Sequence, residues 1–82
     1  MDIKNQQMIL ITFFSQYYAF LLKQTLKDRC TLKSVPRSLS SSCGICALIN
    51  EEDFPSINVF SDNIDRVFYI NDNKYEEIIW KK

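Results

Sequence analysis

The chain has 82 residues, ten basic and ten acidic side chains, and 46% apolar residues. This composition predicts one folded domain over residues 1–82 and excludes a disordered chain. Residues 1–42 carry six basic and two acidic side chains, whereas residues 43–82 carry four basic and eight acidic ones. The asymmetry favours contact between the halves, or between subunits, over a basic groove for nucleic acid.

The chain contains three cysteines and no histidine. A secreted disulfide framework normally uses an even number of cysteines, so we expect a reduced, cytoplasmic protein. A tetrahedral zinc site needs four ligands, and the cysteines supply three. We therefore expect neither a metal nor another cofactor. The apolar run at residues 8–14 ends well short of a membrane span and lacks a signal-peptide cleavage site.

The first half of the chain predicts a strand, a helix and a second strand. Residues 8–14 form a nearly continuous apolar run, which is typical of an interior strand. Ser15 is a suitable N-cap for an amphipathic helix that should stop near residues 28–30. Residues 31–35 include β-branched side chains and alternate between polar and apolar ones, which favours a strand. Pro36 ends that strand because proline cannot donate to a sheet ladder.

The second half begins with a loop that continues to residue 42, followed by an apolar strand at residues 45–49. The acidic residues 51–53 suit the start of a helix, where the positive end of the dipole lies. Apolar residues then recur at helical spacings, although residues 67–70 have strand-forming side chains. We predict one helix over residues 53–70, a turn at residues 71–73 and a last strand at residues 75–80.

This order of elements predicts an α+β, ferredoxin-like βαββαβ fold. It has a four-stranded antiparallel sheet, with the first and third strands in the middle and both helices on one face. The opposite face is then bare, although the first strand is apolar on both sides. We expect a second subunit to cover that face, which makes the protein a homo-oligomer.

The loop before the third strand contains the candidate functional site. Gly44 is the single glycine of the chain and follows three serines and a cysteine. Glycine tolerates backbone angles that other residues resist, and it permits close approach of a ligand or a second backbone. A thiol flanked by hydroxyls and backbone amides can be held as a thiolate. The candidate site residues are Arg37, Ser40, Ser41, Ser42, Cys43 and Gly44.

Structural roles are open for the same residues. Cys43 could be a semi-buried cysteine at the start of a strand. Arg37 could be a solvated loop residue, and the serines could be turn-forming hydroxyls.

The spacing of Cys43 and Cys46 matches the C-x-x-C pattern of redox pairs. On a strand, residues three apart are separated by about 10 Å and face opposite sides. A disulfide needs Cα atoms within about 7 Å, so the pair requires the chain to curl through Gly44. We expect Cys46 to pack in the core and Cys30 to be a helix-end cysteine without a role.

The segment from Pro36 to Gly44 resembles the putative selenium/sulfur carrier protein-like family of small bacterial domains. The resemblance includes the Ser-capped first helix, the acidic residues 51–53 and the closing Tyr75 and Glu76. It implies a ferredoxin-like fold and a carrier role for Cys43. Cys30, Cys46 and residues 56–73 depart from the family pattern.

The expected function is a sulfur or selenium carrier that holds a persulfide on Cys43 and passes it on by thiol exchange. Such a carrier has no catalytic turnover of its own. Its partner would be a cysteine desulfurase or a sulfurtransferase, and neither nucleic acid nor a membrane is expected. The alternative is a non-catalytic ligand-binding or assembly module that uses residues 40–44. A thiol oxidoreductase that uses Cys43 and Cys46 is the third hypothesis.

Overall fold

The computed structural model describes residues 7–39, 44–71 and 74–78, without the side chains of residues 59–61. These residues form an α+β structure with a five-stranded antiparallel sheet. The elements are β1 (Met8–Phe13), α1 (Gln16–Leu26), a 3₁₀ turn (Lys27–Arg29), β2 (Cys30–Ser34), β3 (Ile45–Asn50), a 3₁₀ helix (Glu51–Asn63), β4 (Ile64–Asn71) and β5 (Lys74–Ile78). No helix in these residues is long and apolar enough to cross a membrane.

The sheet has the strand order β2-β3-β1-β4-β5. β1 lies in the middle and is antiparallel to β3 on one side and to β4 on the other. The prediction that the first and third strands are internal, adjacent and antiparallel is therefore confirmed. The predicted number of four strands is wrong, because the structure forms a further strand from residues assigned to the second helix.

That further strand is β4, which replaces the second half of the helix predicted over residues 53–70. β4 pairs with β1 over the whole length of β1. The pairing satisfies the N–H and C=O groups on the second edge of β1, which would otherwise be buried without partners. Strand-forming side chains at residues 67–70 favour the same outcome. The first half of the predicted helix is 3₁₀, with Pro55 inside it.

Helix α1 begins and ends with side-chain contacts to its backbone. Ser15 is the N-cap, and its Oγ accepts a hydrogen bond from the backbone N–H of Tyr17 at 3.2 Å. At the other end, the Nζ of Lys23 donates to the carbonyl oxygens of Lys27 at 3.1 Å and Cys30 at 2.6 Å. Cys30 is the C-cap of the 3₁₀ turn that follows α1, so it lies at a helix end as the sequence predicts, and it is also the first residue of β2.

One face of the sheet packs against α1 and the 3₁₀ helix. The residues between these layers form the helix-side core, and each of them is at most 3% exposed. The helix-side core consists of Ile9, Ile11, Phe13, Ala19, Leu22, Leu26, Cys30, Ala47, Ile49, Ile57, Ile64 and Val67.

A salt bridge joins the 3₁₀ helix to the turn that follows α1. The Nη1 of Arg29 lies 2.9 Å from Oδ1 of Asp53, whose side chain is almost completely buried. Oδ2 of Asp53 is also buried and accepts no hydrogen bond from the described residues. The pair therefore connects the start of the 3₁₀ helix to the turn that follows α1.

The opposite face of the sheet carries a second apolar group, which we call the loop-side cluster. Its buried members are Leu10, Cys46 and Phe68. Val35 and Leu39, which follow β2 in the chain, pack against them, as do Leu48, Ile70 and Tyr75. The prediction of a bare face is wrong, because the loop after β2 packs on it.

The last strand, β5, forms an edge beside β4. The guanidinium of Arg66 donates to both carboxylate oxygens of Glu77, at 2.8 and 3.1 Å, and this hydrogen bonding lowers the pKa of Glu77. The sequence places this strand at residues 75–80, whereas β5 is Lys74–Ile78 and residues 79–82 lie outside the described part. Asn71, assigned to a turn, ends β4, and residues 72–73 lie outside the description.

Docking of the 3₁₀ helix on the sheet can be tested with Ile57→Ala. Ile57 is 0% exposed in the helix-side core, so its truncation should lower the free energy of unfolding by about 2–5 kcal/mol. Asn58→Ala changes the exposed neighbour and should alter stability by less than about 0.5 kcal/mol. Chemical denaturation of both variants measures the difference. Equal effects would show that Ile57 is not part of the core.

Candidate functional site: the loop between β2 and β3

The loop that carries the candidate site is closed at its base by the pairing of β2 with β3. Ser34 pairs with Ile45, which are the last residue of β2 and the first of β3. Beyond this pair, the backbone N–H of Val35 donates to the carbonyl oxygen of Gly44 at 3.0 Å. The hydrogen bond between Val35 and Gly44 therefore closes the base of the loop formed by residues 36–43.

The loop then makes a turn that begins at Pro36. The backbone N–H of Leu39 donates to the carbonyl oxygen of Pro36 at 3.0 Å. Arg37 and Ser38 are the two central residues of this turn, and both are exposed. Leu39 packs against the loop-side cluster, so the first part of the loop is anchored to the sheet.

Leu39 and Val35 are functional-site candidates that the sequence analysis did not identify. They carry no reactive group, and both pack against the loop-side cluster. The available signal was a leucine between polar residues in a loop otherwise rich in serine. A lone apolar side chain in such a segment indicates a contact with apolar surface elsewhere in the fold.

Gly44 adopts φ +78°, which is the left-handed region that favours glycine. An ideal Cβ at this position would have no described atom within 4 Å. The conformational reason given for the glycine is therefore confirmed, and the close approach of a second backbone is not observed. Gly44 is exposed, so the residue next to Cys43 in the chain lies at the surface.

The remaining site residues fall outside the described part of the chain. These are Ser40, Ser41, Ser42 and Cys43. Their assigned roles, including the contact of Arg37 with the Cys43 thiol, stay predictions.

The other two cysteines are both buried, with 0% exposure. Cys46 lies in β3 within the loop-side cluster, with its Sγ 3.8 Å from the carbonyl oxygen of Ser34. The prediction that Cys46 packs in the core is confirmed. Burial raises the pKa of Cys30, and the nearby charge of Lys23 opposes this effect. At neutral pH Cys30 is therefore a neutral thiol.

Within the described residues, histidine, cysteine and acidic side chains form no group of three that could hold a metal ion. The described loop residues instead present a cationic side chain, a turn and an exposed glycine. The arginine side chain of such a segment can attract an anion, because its positive charge stabilises nearby negative charge.

The requirement for glycine at position 44 can be tested with Gly44→Ala. A β-carbon in the left-handed region costs roughly 1–2 kcal/mol, so the free energy of unfolding should fall by about that amount. Gly44→Asn should lose less, because asparagine tolerates positive φ better. Ser38→Ala, in the exposed turn, is the control and should be neutral. An alanine variant as stable as the wild type would rule out the positive φ.

Burial also predicts the accessibility of the two described thiols. In the native protein at neutral pH, a maleimide should label neither Cys30 nor Cys46, because both side chains are shielded from solvent and Cys30 is protonated. Both should be labelled completely in guanidinium. Peptide mapping by mass spectrometry identifies the sites. Rapid labelling of Cys46 in the native state would show that the loop does not cover the loop-side cluster.

The comparisons with known proteins give one match. A family model described as "Putative Se/S carrier protein-like" matches residues 8–63, which is more than half of the chain. The match runs from β1 to the end of the 3₁₀ helix and leaves β4 and β5 outside. No curated protein and no solved structure matches the chain.

Proposed function

The chain belongs to the Putative Se/S carrier protein-like family, and we propose that it carries sulfur or selenium on the thiol of Cys43. The observation that supports this assignment best is the burial of the other two cysteines, each 0% exposed. A carrier thiol has to meet the donor and the acceptor in turn, which a fully buried thiol cannot do. Cys43 is the third cysteine, and it is covalently bonded to the exposed Gly44.

The proposed loading step is a thiol exchange with a donor persulfide. The Cys43 thiolate attacks the outer sulfur, and a bond forms between that sulfur and Sγ of Cys43. The S–S bond of the donor breaks, and its electron pair leaves with the donor's thiolate. The proton of the outer sulfur travels with it, so no oxidant or reductant is consumed. Selenium is transferred by the same exchange, with a selenium atom in place of the outer sulfur. In delivery, the acceptor thiolate attacks this outer atom and Cys43 leaves as a thiolate.

The groups proposed to stabilise the Cys43 thiolate belong to the same loop. Arg37 is exposed in the turn at the start of the loop and supplies a positive charge. The hydroxyls of Ser40, Ser41 and Ser42 and the backbone amide of Gly44 supply hydrogen-bond donors. Charge and hydrogen bonding to the anion both lower a thiol's pKa. A reducing compartment, the cytoplasm, keeps the thiol available.

Anchoring of the loop supports a presented thiol. The Val35–Gly44 hydrogen bond joins the ends of the loop, and Leu39 holds its first part on the loop-side cluster. Anchoring the two ends of a loop lowers the conformational entropy that is lost when a partner binds. The proposed partner is a cysteine desulfurase or a sulfurtransferase, since these proteins carry persulfides.

Loading can be tested by incubating the protein with a cysteine desulfurase and L-cysteine, followed by intact mass measurement. The wild type should gain one sulfur atom, and the gain should be absent in Cys43→Ser. The matched controls are Cys30→Ala and Cys46→Ala, which should keep the gain because these thiols are buried. A reductant should remove the added sulfur.

Other outcomes of the same experiment favour the alternatives. A wild type that gains no sulfur from the desulfurase or from inorganic polysulfide overturns the carrier function and favours a ligand-binding or assembly module. A decrease in mass by two hydrogens indicates a disulfide. If this decrease is absent when either Cys43 or Cys46 is replaced, it supports the thiol oxidoreductase. Burial of Cys46 disfavours that result, since its thiol is shielded from solvent.

We also propose that the first four strands form a ferredoxin-like unit to which β5 is added. Their order in the sheet is β2-β3-β1-β4, with α1 between β1 and β2 and the 3₁₀ helix between β3 and β4.

Backbone amides of β1, β3 and β4 should exchange more slowly with deuterium than those of the edge strands β2 and β5. Faster exchange in β1 than in β5 would contradict the central position of β1.

A further inference from the structure

The outer edge of β2 carries backbone groups that point away from the sheet. β2 lies at one edge of the sheet, with β3 on its inner side. In an antiparallel pair, every second residue exchanges hydrogen bonds with the partner strand, and the residues between point their N–H and C=O groups the other way. The hydrogen bond between Val35 and Gly44 marks the exchanging positions. The outward residues of β2 are therefore Cys30, Leu32 and Ser34.

The end of α1 closes this edge at Cys30 and leaves the rest open. The N–H of Cys30 donates to a carbonyl oxygen of the 3₁₀ turn, and its own carbonyl oxygen accepts from Nζ of Lys23 at 2.6 Å. Among the described residues, neither outward group of Leu32 nor the N–H of Ser34 has a hydrogen-bond partner. The carbonyl oxygen of Ser34 has one weak contact, with Sγ of Cys46 at 3.8 Å. We call residues 32–34 the open edge.

The side chains around the open edge are cationic on one face and apolar on the other. Lys33 is exposed and pairs with Cys46, so it lies on the face of the loop-side cluster. Arg37 is exposed in the turn that follows. Neither cation forms an ion pair with the described residues. Leu32, on the other face, is half-buried and packs against the helix-side core.

We propose that the open edge binds an extended acidic segment of a partner protein as an additional antiparallel strand. The outward groups of Leu32 and Ser34 bond to the backbone of the segment, which is the source of affinity when a strand is added to a sheet. The segment has an aspartate or glutamate opposite Lys33, because opposite charges on paired strands attract. It has an apolar residue opposite Leu32, which extends the helix-side core.

The open edge of a second copy does not fit this site. Two antiparallel copies pair with Leu32 of each opposite Ser34 of the other, which places Lys33 opposite its own image. Like charges in this position destabilise the pair, and an edge lysine protects a sheet against such self-pairing. A register shifted by two residues brings in either Cys30, whose outward groups are occupied, or Pro36, which has no N–H.

The other edge strand, β5, is also a poor occupant. An antiparallel register that places Glu76 of a second copy opposite Lys33 places Glu77 opposite Leu32. Glu77 would then bring a charge to the apolar face, and it already accepts two hydrogen bonds from Arg66. The occupant is therefore a segment of another protein.

The identity of that protein rests on the proposed carrier function. β2 leads directly into the loop that contains Cys43. A segment that runs antiparallel to β2 has its N-terminal end beside Ser34, at the base of this loop. A sulfur donor or acceptor whose cysteine precedes an acidic extended segment would therefore bring its thiol to Cys43.

Binding can be tested with a short, end-blocked threonine peptide that has glutamate at its centre, valine directly after it and no cysteine. In NMR spectra of the ¹⁵N-labelled full chain, the peptide should shift the amide signals of Leu32 and Ser34, with saturation below about 1 mM. The same peptide with lysine in place of glutamate should bind at least about threefold more weakly. Shifts at β5 alone, or none at all, overturn the proposal.

Two variants separate the backbone contacts from the charge. Ser34→Pro removes an outward N–H, which an edge strand tolerates, and should weaken peptide binding at least about threefold. Lys33→Glu should reverse the preference, so that the lysine peptide binds better than the glutamate peptide. The matched control is Lys74→Glu, at an exposed position of β5, which should keep the wild-type preference. A glutamate preference that survives Lys33→Glu, or that Lys74→Glu also reverses, overturns the proposal.

The outcomes also separate the open edge from the carrier function. Persulfide loading of Cys43 without peptide binding overturns the open-edge site and leaves the carrier function intact. Peptide binding at Leu32 and Ser34 without loading supports the site and overturns its assignment to a sulfur donor or acceptor. Amide shifts at the open edge that follow protein concentration, with no peptide present, show that a second copy binds there and overturn the proposal.

Discussion

The structure depends on the burial of β1 on both of its faces. Every residue from Ile9 to Phe13 is 0% exposed, so both faces of this strand must be covered. A chain of 82 residues has few elements for this purpose. α1 and the 3₁₀ helix cover one face, and β3 and β4 satisfy the two edges. On the other face, the described part of the loop after β2 contributes Val35 and Leu39.

The loop that contains Cys43 is therefore also part of the apolar packing, through Val35 and Leu39. Leu39 contacts the loop-side cluster on one side of residues 40–43, and Gly44 turns the chain into β3 on the other. Cys46 is part of the surface on which Leu39 packs. The two cysteines of the C-x-x-C pattern therefore differ in role. Cys46 is buried in the cluster on which the loop packs, whereas the proposed reactivity belongs to Cys43.

The parts of the fold that the sequence predicts are those in which local pattern and tertiary structure agree. β1 and β3 are continuous apolar runs, and both are internal strands. Ser15 predicts the start of α1 and caps it. Residues 64–70 fall in the predicted helix because Ile64, Val67 and Phe68 recur at helical spacings. In β4, Asp65 is an extra residue between Ile64, which pairs with Phe13, and Arg66, which pairs with Thr12. A strand with such a bulge also buries residues at this spacing, and the pairing with β1 decides in favour of the strand.

The sequence identifies the conformational need for Gly44 because positive φ is a property of one residue. It does not identify Leu39, because the contact of Leu39 with Leu10, Cys46 and Phe68 depends on how a loop folds over a sheet. The exposed outer face of α1 was missed for a related reason. An amphipathic pattern predicts the helix, but the exposure of Tyr17 and Phe20 depends on where the sheet packs against it.

The chain places its single glycine at position 44, although Lys27 also has a positive φ, of 55° with ψ −118°. A residue with a β-carbon is strained there, and glycine would not be. The hydrogen bonds at this helix end use the backbone of Lys27 and the side chain of Lys23, so none of them needs the Lys27 side chain. The end of α1 is thus a position where an engineer could add stability without touching the loop that carries Cys43.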